Sequence, residues 1–230
     1  MAFETAIVGI HDALEKARAT LGITSRLIPC FVRHLSAAAA MRTLERALRH
    51  REWIAAVGLD SSEVGNPPEK FAAVFRRARE EGLRAVAHAG EEGPPEYVWQ
   101  ALNELEACRI DHGVRCLEDE RLVQHLAQAR VPLTVCPLSN VRLRIFDRLE
   151  DHALKAMLER GLCVTINSDD PAYFGGYLTE NFRAARRALD LGAADVVALA
   201  RNGVEASFLT PEAKQRLLAE IDDIAREAMR

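Results

Sequence analysis

The 230-residue chain predicts an α/β fold of the TIM (β/α)8 barrel kind, on three observations. Six short apolar runs alternate with helical segments of about 10 to 15 residues, the pattern of βαβ units feeding a parallel sheet. The runs are apolar throughout rather than alternating, as strands covered on both faces are. Asp60, His88, Glu91, His112, Ser139, Asp169 and Asp170 all follow the apolar part of a run, at its carboxyl end. In a barrel those ends converge on one face, where active sites sit. An open doubly wound sheet would gather ligand chemistry at a single switch point, and no Gly-rich phosphate loop supports that option.

The elements follow in order. Phe3, Ile7, Ile10, Leu14, Ala17 and Leu21 form one apolar stripe at helical spacing, ended by Gly22. Residues 26–34 read as a buried strand and 36–50 as a helix capped by Ser36. Strand 54–60 ends on Asp60, and Asn66-Pro67-Pro68 opens helix 67–81, with proline in its first turn. Gly82 ends that helix, and strand 84–88 runs into Ala89-Gly90-Glu91. Helix 95–106, strand 108–112, helix 118–130 and strand 131–136 continue the alternation. Helix 150–160 and Gly161 lead to the last apolar run, 163–168, which Pro171 forbids from continuing because it has no N–H to give. Helices at 178–190, 194–202 and 211–229 complete the chain.

Composition narrows the function. Apolar residues make up 49% and charged residues 28%, with net charge −4 and acids and bases interleaved, so no basic face offers itself to nucleic acid. Arg142, Arg144 and Arg148 form a short cluster expected to face solvent. No 18-residue apolar run or signal peptide is visible. Five cysteines make no CxxC pair and no even framework, which points to a reducing, cytoplasmic setting.

The polar residues at the strand ends suggest chemistry. Adjacent carboxylates at Asp169 and Asp170 repel unless a cation or bound donor sits between them, although Asp-Asp-Pro is also ordinary turn chemistry. His88 stands three residues before Glu91, across a glycine that bends the chain, and His112 repeats the arrangement one strand later. Two histidines, a glutamate and an aspartate pair from three strands could hold a metal and run acid–base work on bound water. Asp60 and Glu63 could join them. His11, His50, His125 and His152 fall in helices and are expected on the surface, while His34 ends a strand and braces the mouth.

Four motifs in this order carry a resemblance: His88-Ala89-Gly90-Glu91, Arg109-Ile110-Asp111-His112-Gly113, Cys136-Pro137-Leu138-Ser139-Asn140 and Ser168-Asp169-Asp170-Pro171. Together they resemble the adenosine/adenine deaminase family of metal-dependent aminohydrolases, from about Phe3 to about Leu218. Gly58-Leu59-Asp60-Ser61-Ser62-Glu63 and Asp170 through Gly176 look like its adenine deaminase branch. The resemblance implies a barrel of the metallo-dependent hydrolase kind and zinc-dependent conversion of adenine to hypoxanthine and ammonia in purine salvage. It implies His88 and Asp169 as Zn2+ ligands, Glu91 as the acid that protonates purine N1, and His112 as the residue orienting the zinc-bound water. Asp170 would bind N7, and the backbone near Ser62 and Glu63 would meet N3. The partner is then a small purine, with no nucleic acid or membrane and a possible homo-oligomer.

The pattern departs from the family in one respect. The family's other two zinc ligands come from a His-x-His at the end of the first strand, and this chain contains none. Six strands are present where the barrel needs eight. The expectation is therefore a single deaminase barrel domain over 1–230, lacking its first two strands. A deaminase of adenosine or of an N6-substituted adenine, and a catalytically inactive fragment, are the alternatives. Against adenosine stands Glu63, a long carboxylate where the resembling adenosine deaminases carry glycine, unless it merely points to solvent.

Overall fold

Among the described residues six strands carry the fold: β1 (Cys30–Val32), β2 (Ala56–Asp60), β3 (Arg84–Ala89), β4 (Arg109–His112), β5 (Leu133–Val135) and β6 (Val164–Ile166). In the computed structural model, which describes residues 2–228, they follow one another in sequence order in a six-stranded sheet, as expected. The pairs β1–β2, β2–β3, β4–β5 and β5–β6 are parallel. Prolines trim several strands from their expected lengths. Pro29 has no N–H to donate, so the run 26–34 reduces to β1 plus one parallel bridge between Leu27 and Ile54. Pro132 and Pro137 bracket β5 in the same way.

The chain divides into two compact units: residues up to 87 with 100–107, and 88–99 with those from 108 on. The first contains α1 (Phe3–Leu21), α2 (Ala37–Ala47) and α3 (Ala72–Glu80). Ser36 caps α2 by accepting the Ala39 N–H at 3.2 Å. Helix 36–50 ends early and continues as a 3₁₀ turn over Leu48–Trp53, and the proline start of helix 67–81 is likewise 3₁₀ over Pro68–Phe71. Phe31, Leu44, Leu59, Phe71 and Phe75 are fully buried, with Phe31 and Phe75 packed edge-to-face at 5.6 Å. The α1 stripe is only partly used. Ile7 is buried, but Ile10 and Leu21 stand 50% and 69% exposed. An ion pair from Arg46 to Glu4 at 2.5 Å ties the first turn of α1 to α2.

The second unit holds β4, β5 and β6 and a core of Ile110, Leu133, Val135, Val164 and Leu154. Its helices are α5 (Glu120–Ala129), α6 (Pro137–Arg142), α7 (Leu154–Glu159), α8 (Pro171–Phe174), α9 (Leu178–Ala188), α10 (Ala193–Ala206) and α11 (Pro211–Ala228). The expected end of the last helix at 229 lies outside the described residues. Asp119 starts α5 later than expected, because its Oδ1 accepts the N–H groups of Arg121 and Leu122 at 2.9 and 3.3 Å. The short helices α6 and α8 are absent from the sequence reading, and each is opened by a proline, Pro137 just past β5 and Pro171 after the loop that follows β6. β3 and α4 (Pro95–Asn103) each contribute residues to both units. Arg142, Arg144 and Arg148 are exposed as expected, whereas Cys116, Cys136 and Cys163 are buried.

Candidate active site

Each candidate side chain sits where a strand stops. β3 delivers His88, and Gly90, at φ 73°, then turns the chain so that Glu91 is buried. β4 ends on His112, itself in the left-handed region at φ 63° and followed by Gly113 at φ 70°. β5 passes through Cys136 into α6, whose first turn carries Ser139 and Asn140, both fully buried. After β6 comes Asp169, also left-handed at φ 56°. Two non-glycine residues in the left-handed region at these strand ends, His112 and Asp169, mark a site where the fold holds strain.

The carboxylate of Asp111 organises the His88 side. It lies 3.3 Å from His88 Nδ1, accepts from Thr134 Oγ1 at 2.6 Å and stands 3.6 Å from Arg109 Nε. Burial alone would raise the Asp111 carboxyl, but the His88 hydrogen bond and charge, with Arg109 and Thr134, outweigh it and hold it well below the usual carboxylate range. With Nδ1 facing Asp111, Nε2 is the ring nitrogen His88 keeps for a ligand. A carboxylate behind a histidine is how metal-binding imidazoles are oriented.

On the other side, Asn140 Nδ2 donates to Glu91 Oε1 at 2.7 Å and lies 3.3 Å from His112 Nδ1. Glu91 Oε1 is also 3.3 Å from His112 Nδ1, and His112 Nε2 is 4.0 Å from Asp169 Oδ2. The rings of His88 and His112 meet edge-to-face at 4.8 Å. Burial, helped by the His88 charge, lowers His112 to about 3, so the ring is neutral near pH 7. Ser139 Oγ donates to Asp169 Oδ2 at 2.6 Å. The expected catalytic and metal residues Glu91, His112, His88 and Asp169 thus lie within the second unit, as does Asp170.

The donor set suits a zinc-type ion. Among the described residues, His112, Cys136 and Asp169 place ligand atoms within 4.8 Å of one another. An imidazole, a sulfur and a carboxylate are donors zinc accepts. Sequence reading gave Cys136, Asp111, Thr134 and Asn140 no role at the site.

The remaining candidates have local partners. Asp170 caps α8, its Oδ1 accepting from Ala172 and Tyr173 N–H at 3.0 and 3.2 Å. In the first unit Ser62 is exposed, and Ser61 Oγ donates to Asp60 Oδ1 at 3.1 Å. Glu63 is 1% exposed and does not face solvent. Arg33, fully buried, reaches it with Nη1 at 3.5 Å while Arg33 Nε donates to the Asn66 carbonyl at 2.9 Å. His34 and His125 are exposed, and His11 and His50 are half-buried against Trp53. His152 overturns the surface expectation. It is 4% exposed and stands in extended backbone between the 3₁₀ turn Leu149–Asp151 and α7 rather than in a helix, with its ring hydrogen-bonded into the Asn140 network.

Comparison with known proteins identifies relatives in both sequence and fold. The solved adenine deaminase of Arthrobacter aurescens superposes with a TM-score of 0.95 at 47% identity, over 98% of this chain and 69% of that one. An amidohydrolase from Burkholderia ambifaria, solved with bound Zn, superposes at 0.91 and 26% identity, over 99% of this chain and 65% of that one. Adenine deaminase of Chlorobium phaeobacteroides is 57% identical over 221 residues, 96% of this chain and 66% of the relative. That of Hahella chejuensis is 57% identical over 216 residues, 94% and 65%. The chain thus spans just under two thirds of the length of these curated relatives. The adenosine deaminase family model matches residues 1–224, and on that match, with relatives more than half identical, the chain belongs to the adenosine deaminase family.

Proposed function

We propose that the chain serves the zinc-dependent hydrolytic deamination of adenine to hypoxanthine and ammonia, a purine-salvage step in the cytoplasm. The observation that carries it is Glu91, a buried acid braced by Asn140 and facing His112, which in turn faces Asp169. Relatives more than half identical that bear the name adenine deaminase support the choice of reaction. Among the described residues no helix is long and apolar enough to cross a membrane.

In this reading His88 and Asp169 hold zinc, which when bound makes a water a better nucleophile near neutral pH. Asp111 keeps His88 turned with Nε2 outward, and Ser139 steadies Asp169. Glu91 delivers a proton to purine N1, so that the ring becomes electrophilic at C6. His112, neutral and buried, orients the attacking water. Asp170 is assigned to N7, and the Ser62–Glu63 segment to N3. The absence of a His-x-His motif predicts loose zinc retention, so the assay is run with zinc in excess.

The test compares wild type with Glu91→Gln. Loss of adenine to hypoxanthine is followed spectroscopically, with zinc content by mass spectrometry. Glu91→Gln keeps the hydrogen bond from Asn140 but removes the acid, so kcat falls by about 10²–10⁴-fold with zinc content unchanged. Zinc-replete wild type that does not deaminate adenine overturns the proposal and favours the inactive-fragment reading.

A further inference from the structure

Glu91 sits in a turn, 90–94, that belongs to neither β3 nor α4, so its place depends on what the turn is tied to. The carbonyls on either side of Glu91 both accept from one residue of the second unit. Arg115 gives its backbone N–H to the Gly90 carbonyl at 2.8 Å and its guanidinium Nη1 to the Glu92 carbonyl. The first bond needs the two backbones in contact. A Cβ on Gly90 would stand 3.6 Å from Gly113 Cα and 2.8 Å from Val98 Cγ2, so glycine at 90 lets the turn settle onto the β4 terminus. The second bond is aimed from behind. Arg115 Nε and Nη2 donate to the two oxygens of Glu118 at 2.7 and 2.9 Å, a fork that fixes the guanidinium plane with Nη1 toward the turn. The two side chains of this ion pair are 36% and 51% exposed, so it adds little to stability. What it supplies is direction.

We infer that Arg115, steered by Glu118, is a positioning residue that clamps the turn on both sides of Glu91 and so fixes where its carboxyl group sits. The clamp follows from the hydrogen bonds alone, whereas its service to catalysis rests on the deaminase reading. Loss of the Arg115 side chain removes one of the two ties. With Gly90 still bonded to the backbone at 115 and Glu92 released from the guanidinium, the turn pivots at Glu91 itself. A reacting group displaced by about 1 Å loses on the order of 10²-fold in rate. Lysine at 115 could still give a hydrogen to the Glu92 carbonyl but has no second edge for Glu118, so it restores only part of the clamp.

Backbone ¹⁵N relaxation on the labelled chain reads the clamp without metal or substrate. Wild type gives order parameters of about 0.85 at Glu92 and Gly93. Arg115→Met keeps the apolar stem and removes the donors, and it lowers both values below about 0.6 while Gly113 keeps its own. Glu118→Gln, a surface change that retains an oxygen for Arg115, gives values between the two. A wild-type turn already below about 0.6 overturns the inference even if Arg115→Met fails to fold. Wild-type values in Arg115→Met overturn the clamp, and wild-type values in Glu118→Gln overturn the steering by Glu118. A loss spread evenly over the second unit also overturns the inference, since it marks a merely structural role. In the zinc-replete adenine assay Arg115→Met loses roughly 10–100-fold in kcat with KM within about threefold, and Arg115→Lys recovers part of the loss. A loosened turn with unchanged kcat overturns the positioning role. An inactive wild type whose turn is rigid counts instead against the deaminase reading and leaves the clamp standing.

Discussion

Glu63 shows how a single partner changes what a side chain can do. A glutamate in a loop usually faces water, and the alternative was a carboxylate held beside the purine to exclude a ribose. The structure takes it out of solvent and buries it against Arg33, so the charge is already matched. Replacing Glu63 with glycine would leave the Arg33 guanidinium buried and uncompensated, a loss of about 3–5 kcal/mol. The expected outcome is that Glu63→Gly and Glu63→Gln both lower the urea midpoint, because both remove the charge, and that Glu63→Gln, which keeps an oxygen for Arg33 to donate to, falls less and is the variant to use for adenosine against adenine. Midpoints equal to wild type in both variants would mean the ion pair contributes nothing. His152 gives a second residue-scale test. Burial lowers its pKa from the ordinary 6.5 to about 4. Below pH 6.5 the unfolded chain takes up a proton at this position and the folded chain does not, so stability is lost as pH falls toward 4. The size is about 3 kcal/mol at most. Urea midpoints at pH 7 and pH 4.5 should therefore drop more in wild type than in His152→Phe, and equal drops would sink the assignment. Neither residue's role was legible beforehand. His152 stands in no helical stripe, and Arg33 read as part of a strand.

At the level of elements, strand order, strand polarity and most helices follow from apolar runs, glycines and caps, because those signals are local. What escaped is what depends on neighbours. The helix α6 begins at Pro137 in a stretch with no apolar period, and it matters because its first turn aims Ser139 at Asp169 and Asn140 at Glu91. The apolar stripe of α1 has the right spacing, yet the described residues cover only part of it. Periodicity says which face wants a partner and not whether one is present. The β4 terminus makes the strongest element-scale prediction. His112 at φ 63° and Gly113 at φ 70° are consecutive left-handed residues that swing the histidine toward Glu91. A Cβ on Gly113 would sit 2.9 Å from Leu133 Cδ2 and 3.4 Å from Ile110 Cγ2, both buried core side chains. Gly113→Ala should cost about 1–2 kcal/mol for the backbone, with about 1–3 kcal/mol more for overpacking. It should also weaken the hydrogen bonding around His112 seen by NMR. A variant with wild-type stability would mean the turn relaxes freely.

For the whole molecule the question is whether the two compact units unfold together. A contact-based division would by itself suggest two transitions, as in proteins of separate domains. Covalent continuity argues the other way. β3 gives Arg84–Ala87 to one unit and His88 and Ala89 to the other, and α4 is cut between Trp99 and Gln100. A short helix is marginal without its tertiary packing and cannot keep half its length ordered while the rest melts. Nor can a two-residue remnant of a strand hold His88 in place. Losing either unit therefore withdraws a strand end and a helix half from the other, which couples the two. The chain's tryptophans make this measurable, because Trp53 lies in the first unit and Trp99 in the second, with Trp99 Nε1 donating to Asp119 at 2.9 Å. Trp53→Phe leaves a reporter of the second unit, and Trp99→Phe a reporter of the first. Each substitution shifts stability somewhat, so each fluorescence curve is compared with the far-ultraviolet circular dichroism of the same variant. Coincident urea midpoints in both variants are expected, with one common slope. A fluorescence transition separated from the circular dichroism transition in either variant would show that the units melt independently, and that the hydrogen-bonded site of the second unit can persist without the first.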